Sequence, residues 1–201
     1  MGQSKQSNEP IGLIDLDGTL ANYDGAMQKS LDTLSAPEEK VEETGYHKPH
    51  PPHIWARMNL IKESGEWWEN LPRFKLGFDV LEILKELDFY ISILTQGPKA
   101  NPIAWSHKVK WCCKNVPDLD ITITRNKGLV YGKVLVDDYP EYVQQWLEHR
   151  PRGLVIIPAQ KWNLNFKHSN VIRYDGSNLD EVRTALIMVK NRKSGEELKL
   201  T

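Results

Sequence analysis

Six short apolar runs, at residues 11–16, 89–95, 120–124, 134–137, 154–157 and 171–174, recur along the chain. Amphipathic stretches at 78–87, 103–114, 141–149 and 179–191 fall between or after them. Short, nearly continuous apolar runs suit strands buried on both faces, and helices between them supply the crossovers that parallel strands require. The pattern predicts an α/β chain, a doubly wound, Rossmann-like parallel sheet with helices on both faces. Ligands of such sheets sit beyond the carboxyl ends of the strands, where strand order reverses. Three runs end in polar residues there: Asp15 and Asp17 at the first, Thr95 at the second and Asp137-Asp138 at the fourth.

Residues 21–74 break the alternation. They hold no convincing strand, only helical stretches at 26–34 and 54–62 around the proline- and histidine-rich YHKPHPPHIW. An insertion directly after the first strand reads as a small helical cap that excludes water and selects substrate. The predicted division is a core of residues 11–20 and 75–201, a cap of 21–74 and a flexible polar tail of 1–10. His47, His50 and His53 have a spacing that invites zinc, but the prolines among them make an extended loop and no cysteine or acidic partner stands at ligand spacing. They are read as ordinary cap-loop residues.

A length of 201 residues allows one core plus an insertion, or two small domains, and a formal net charge of −1 gives no overall case for nucleic acid or an anionic membrane. Lys190-Asn191-Arg192-Lys193 reads as a solvated helix end. The cysteines, Cys112 and Cys113, are adjacent and form no disulfide framework, which favours a reducing cytoplasm. No apolar run reaches membrane-spanning length, MGQSKQSNEP lacks a signal-peptide core, and Gln6 stands where myristoylation after Gly2 calls for Ser or Thr.

Strands disfavour aspartate, and Asp15 and Asp17, two positions apart, point the same way. Their repulsion calls for a cation, a shared proton or open solvent. A carboxylate pair beside a divalent cation can supply a nucleophile and a general acid/base. Phosphoryl transfer asks for little more than that, with groups to hold the phosphoryl oxygens. Asp137-Asp138 suits a hard cation such as Mg²⁺, Thr95 offers a hydroxyl before the QGP turn, and Lys127 is a point charge able to neutralise a phosphate.

With Asp15-Leu16-Asp17-Gly18-Thr19, Thr95, Lys127 and Asp137-Asp138 in this order, the chain resembles the haloacid dehalogenase-like phosphatases. ITRNKGLVYGKVLVDD, with WWENLPRFKLGFDVLEIL, ILTQGP and KVKW, is similar to their 5'-deoxyribonucleotidase branch, the type C 5'-nucleotidases. The resemblance covers residues 11–20 and 67–157 and is weak in the cap. It implies that Asp15 attacks phosphorus and, with Asp17, Asp138 and Asp137, forms the Mg²⁺ site. Asp138 would be the direct ligand, Asp137 would stand behind it, and Asp17 would contribute its backbone carbonyl and act as acid and base. Thr95 and Lys127 would hold the phosphoryl oxygens. The chain carries Gln96-Gly97-Pro98 where members often have Ser-Pro, and Gln96 takes that place as a phosphate-binding candidate.

The expected activity is Mg²⁺-dependent dephosphorylation of nucleoside, and by the resemblance deoxyribonucleoside, 5'-monophosphates. Rivals are a sugar phosphate or a nucleic-acid 3'-phosphate as substrate, and a non-catalytic nucleotide-binding module, against which the retention of both Asp15 and Asp17 argues. Trp67 and Trp68 are candidates for the substrate pocket, able to stack on a base. Trp105, Trp111 and Trp146 have helical settings and read as core. The expected partner is a small nucleotide, with no membrane or polynucleotide, and a homodimer is compatible with the sequence.

Overall fold

The computed structural model describes residues 9–39, 41, 49–193, 195–198 and 200. Among them, strands β1 (Ile11–Ile14), β2 (Tyr90–Thr95), β3 (Asp120–Ile123), β4 (Val134–Val136), β5 (Leu154–Pro158) and β6 (Val171–Tyr174) form one sheet. The order is β3-β2-β1-β4-β5-β6 and every pairing is parallel. The fold is the doubly wound α/β class that the alternation predicts. Strand order reverses between β1 and β4, so their carboxyl ends frame the crevice where such sheets bind ligands.

The helices are α1 (Tyr23–Leu34), α2 (Pro52–Glu63), α3 (Gly65–Glu69), α4 (Lys75–Glu86), α5 (Pro102–Asn115), α6 (Pro140–His149) and α7 (Leu179–Asn191). Side chains alternate across the sheet. Leu13, Leu94, Leu135, Val155 and Ile157 pack with Val143, Trp146 and Leu147 of α6. Ile14, Ile93, Val136 and Ile156, from the opposite face, join the apolar residues of α4 and α7. Burial on both sides explains the unbroken apolar runs of β4 and β5, while the edge strands DITI and VIRY are less buried and carry polar residues.

The largest departures from the predicted elements lie around β1. The strand stops at Ile14 because the chain hooks there: the Leu20 and Ala21 N–H groups both donate to the Leu16 carbonyl, at 2.9 and 2.7 Å, and Gly18 N–H donates to Ala21 at 2.8 Å. Helix α1 starts at Tyr23 because the Asn22 side chain accepts from Gly25 N–H at 3.1 Å. The short α3 falls where the sequence reads only as a link, started by Ser64, which accepts from Trp67 N–H at 3.4 Å.

Between β1 and α4 the described residues form α1–α3 and no strand. Lys62, near the end of α2, ties this segment to the rest: its carbonyl accepts from Trp68 Nε1 at 2.9 Å and from Asn101 Nδ2, ahead of α5, at 2.7 Å. His53 pairs with Glu39 at 3.3 Å, and His50 stands edge-on to Trp55. His47 and residues 1–8 lie outside the described residues. No described helix is long and apolar enough to cross a membrane. Cys112 is buried and Cys113 exposed, both as free thiols, and burial pushes the Cys112 thiol up to about 12, which leaves it protonated near neutrality.

Candidate active site

The hook after β1 presents Asp15 and Asp17 to the crevice. Asp15 is buried and stays in register with the sheet, its N–H donating to Val136 at 2.8 Å. Gly18 makes the hook at φ +77°, where a side chain is strained. It is also crowded, since a Cβ there would fall 2.5 Å from Asp138 Oδ2. Thr19 then binds Asp138 twice, its hydroxyl donating to Oδ1 and accepting from the Asp138 N–H, each at 3.1 Å. The loop after β1 thus fastens the loop after β4.

Lys127 begins a 3₁₀ turn (Lys127–Leu129) ahead of β4, and its buried ammonium bridges the two loops. Nζ lies 2.7 Å from Asp15 Oδ1 and 2.6 Å from Asp137 Oδ2. Burial alone would push the ammonium down, but Asp137 and Asp15 outweigh it and hold Lys127 charged. Burial raises the Asp137 carboxyl to about 6 despite Lys127. It raises Asp138 well above the carboxylate range, with the charges of Asp137 and Asp15 adding to it. Asp138 is further held by Trp162, whose indole N–H lies 3.1 Å from Oδ2, and by Asn163, which donates to the Asp138 carbonyl at 2.9 Å.

Thr95 ends β2, buried on the cavity wall, with Gln96 beside it. The Gln96 Oε1 atom is buried with no hydrogen-bond partner. On the same side stands Lys108 of α5, a buried lysine that opens the KVKW stretch and to which the sequence assigns no role. Its Nζ meets Asp17 Oδ2 at 2.5 Å and the Gln96 carbonyl at 2.7 Å, and lies over the Trp68 ring. Its signal is positional: Ala104, Lys108, Trp111 and Cys112 form the buried stripe of α5, and a lysine on an apolar stripe needs a buried partner. Burial raises the Asp17 carboxyl, Lys108 opposes this and Asp15 adds to it, while Asp17 Oδ1 has no hydrogen-bond partner.

Asp15, Asp17, Thr95, Gln96, Lys108, Lys127 and Asp138 line a cavity of about 310 Å³ together with the aromatic residues Tyr23, Trp68, Tyr139, Tyr142 and Trp162. Trp68 lines it, whereas Trp67 packs edge-on against Tyr23 and Trp68 and donates to Ser30 Oγ at 3.1 Å. Trp111 and Trp146 are fully buried, and Trp105 is partly buried, donating to the Pro98 carbonyl behind the QGP turn. Arg125 and Asp24 also reach the cavity. Tyr23 opens α1, Tyr142 stands in the first turn of α6, and Tyr139 and Trp162 lie on loops; single aromatic residues at such places give no periodic signal, so they were visible only once folded.

Asp15, Asp137 and Asp138 each bring a carboxylate oxygen to within 4.8 Å of the others, an oxygen-only donor set that fits a hard divalent cation. The Asp17 carboxylate stands outside this trio. Counted as ionised, four carboxylates face two ammonium groups, Lys127 and Lys108, and this formal excess of negative charge adds to burial in raising the proton affinity of Asp138 and is what a cation would relieve. Both Asp137 oxygens are already engaged, by Lys127 and by the Tyr139 N–H at 3.0 Å. Asp15 has only Oδ1 in the Lys127 ion pair. The arrangement offers one carboxylate for attack, a second with a raised proton affinity, and a cation site that the first shares with Asp137 and Asp138.

The model of the family described as "5' nucleotidase, deoxy (Pyrimidine), cytosolic type C protein" matches residues 9–189. No curated protein sequence matches the chain significantly. Among solved structures, a haloacid dehalogenase-like hydrolase from Burkholderia xenovorans LB400 superposes with a TM-score of 0.50 at 12% identity, over 90% of this chain and 98% of that one. A structure from Thermotoga maritima assigned as a beta-phosphoglucomutase gives 0.52 at 13% identity, over 90% and 99%. At these identities the two structures speak to the fold alone.

Proposed function

This chain belongs to the cytosolic type C 5'-nucleotidase family and is a phosphatase of haloacid dehalogenase-like fold, and from that we propose that it removes the 5'-phosphate from nucleoside monophosphates, deoxyribonucleotides foremost. One observation carries the reading: Asp15, Asp17, Thr95 and Lys127 line one cavity together with the aromatic side chains of Tyr23, Trp68, Tyr139, Tyr142 and Trp162. The polar groups suit a phosphate and the aromatic side chains suit a base.

Asp15 is the nucleophile. The carboxylate oxygen that Lys127 does not hold attacks phosphorus in line, forming an aspartyl-phosphate and expelling the 5'-oxygen. Asp17, with its proton affinity raised by burial, donates a proton to that oxygen. It then takes a proton from the water that attacks the aspartyl-phosphate, which restores Asp15 and releases orthophosphate. Thr95, Lys127 and the Gln96 side-chain amide hold the phosphoryl oxygens. Asp15, Asp138 and the Asp17 carbonyl would hold Mg²⁺, which when bound offsets charge on those oxygens. Asp137 serves by fixing Lys127. In this reading residues 21–74 form the cap, contributing Tyr23, Asp24 and Trp68 to the cavity, and the enzyme works in the cytoplasm on a small nucleotide.

The test is phosphate release from 5'- and 3'-monophosphates, ribo and deoxy, with Mg²⁺, with chelator and in Asp15→Asn. Turnover of 5'-nucleotides is expected to vanish in the chelator and to fall at least ~10³-fold in Asp15→Asn. Turnover of sugar phosphates or 3'-phosphorylated oligonucleotides alone would keep the chemistry and overturn the substrate. Nucleotide binding with no turnover of any substrate would overturn the chemistry.

A further inference from the structure

The amino ends of β4 and β5 hold a second, basic groove, at the opposite end of the strands from Asp15. It has a volume of about 570 Å³, within the range of small-molecule sites, and is lined by Lys133, His149, Arg150, Arg152, Arg192 and Lys193. These come from three parts of the chain, the segment before β4, the α6–β5 connection and the end of α7. In a chain of net charge −1 this is a local concentration. The carboxylate lining it is Glu196, which accepts from the Lys193 N–H at 3.0 Å.

Cations near the ends of α6 and α7 complement the helix dipoles, and that accounts for part of the cluster. It leaves the arginines only partly satisfied. Arg150 spends Nη1 on the His149 carbonyl at 2.8 Å, and Arg192 spends Nη2 on the Arg152 carbonyl at 2.6 Å. Arg150 Nε and Arg192 Nη1 are buried with no hydrogen-bond partner, an expensive state for a charged donor. Burial, and then the Arg152 charge, push the Arg192 guanidinium down from its usual range. The Lys190–Lys193 segment is therefore no simple solvated helix end: Arg192 is half-buried and points its charge into a crowd of cations.

We propose that this groove is a binding site for a compound carrying a chain of two or more phosphates. A monoanion would neutralise too few of the converging charges, whereas a polyphosphate chain presents several acceptor oxygens to planar guanidinium donors. Tyr131, exposed at the rim with Arg150 over its ring, offers a face for a base if the chain belongs to a nucleotide. This site is independent of the phosphatase reading.

The test is chemical-shift mapping on ¹⁵N-labelled protein at physiological ionic strength and constant free Mg²⁺, titrating tripolyphosphate, ATP, orthophosphate and sulfate. Tripolyphosphate is expected to shift the Gly132, Gly153 and Gly195 amides saturably, and orthophosphate and sulfate far less. ATP against tripolyphosphate separates a nucleotide occupant from an inorganic one. Arg192→Gln is expected to weaken this binding about tenfold, the loss of a charge-assisted hydrogen bond, while the Gly97 amide, which reports the active site, keeps its own titration curve. Arg152→Gln, whose side chain is exposed, carries the same test should Arg192→Gln not fold. Shifts confined to Gln96 and Gly97, equal shifts with sulfate, or binding indifferent to both variants would overturn the proposal.

Discussion

Gly18→Ala isolates how closely the two loops of the site are fitted. An alanine at φ +77° is strained by roughly 1–2 kcal/mol. In addition its Cβ would lie 2.5 Å from Asp138 Oδ2, where ordinary contact begins at 3.4 Å, so the carboxylate must retreat by about 0.9 Å. The Asp138 carboxylate is held by Thr19 and Trp162 and cannot retreat without breaking those bonds, while Asn163 fixes its backbone carbonyl. A shift near 1 Å at a site of this kind lowers turnover by about 10²-fold. Gly176→Ala supplies the control: at φ +97° it meets the same backbone strain, but its Cβ would stand 3.4 Å from Leu76, with no contact to the site. Urea denaturation should show the shared strain as a stability loss in both variants, with a further loss in Gly18→Ala from the displaced Asp138 carboxylate. Initial rates should fall about 10²-fold in Gly18→Ala and remain near wild type in Gly176→Ala. If the two variants lose activity equally, the claim that Gly18 acts through Asp138 is wrong and only backbone strain remains.

Lys108→Met strands a buried Asp17 charge and should destabilise the fold by about 3 kcal/mol, whereas Lys108→Met with Asp17→Asn should recover part of that loss; denaturation midpoints that leave the double variant no more stable than the single would refute the pairing. Burial, with Asp17 adding, raises the Asp24 carboxyl from 3.8 to about 7. The folded state therefore binds this proton more tightly than the unfolded chain does, and the associated stability is full below about pH 4 and lost as pH rises through 7. In chelator, Asp24→Asn should flatten that decline and gain roughly 1–2 kcal/mol over wild type at pH 8, measured by urea titration across pH. Trp162→Phe removes the indole donor to Asp138 and should lower turnover about tenfold with little change in thermal midpoint, so unchanged kinetics would show that Asp138 needs no such support.

What was legible in the sequence is what short-range physics writes there. A strand buried on both faces must be apolar throughout, so β2, β4 and β5 announce themselves, and the polar residues that close such runs mark the ligand-binding edge of a parallel sheet. Hence Asp15, Asp17, Thr95 and Asp137-Asp138 could be named before any coordinates, and the order of the motifs pointed to the family. Boundaries fared worse where a side chain or a hook decided them: β1 ends early because Leu16 accepts from the turn, and α1 starts early because Asn22 caps it.

Tertiary structure decided the rest, because the partners are far apart in the chain. Asp17 and Lys108 are 91 residues apart and Thr19 and Asp138 are 119 apart, and no local preference records either pairing. The same holds for the cavity that gathers Trp68, Tyr142 and Trp162, and for the basic groove that gathers Lys133, Arg152 and Arg192. A lysine in a helix reads as solvated until the fold places a carboxylate against it, since only burial turns a weakly interacting surface charge into one that must be paired. The sequence alone determined which residues stand at the strand ends, because strand burial and chain direction are local. Which charges meet across the crevice was left to the packing of the two halves of the sheet around β1 and β4.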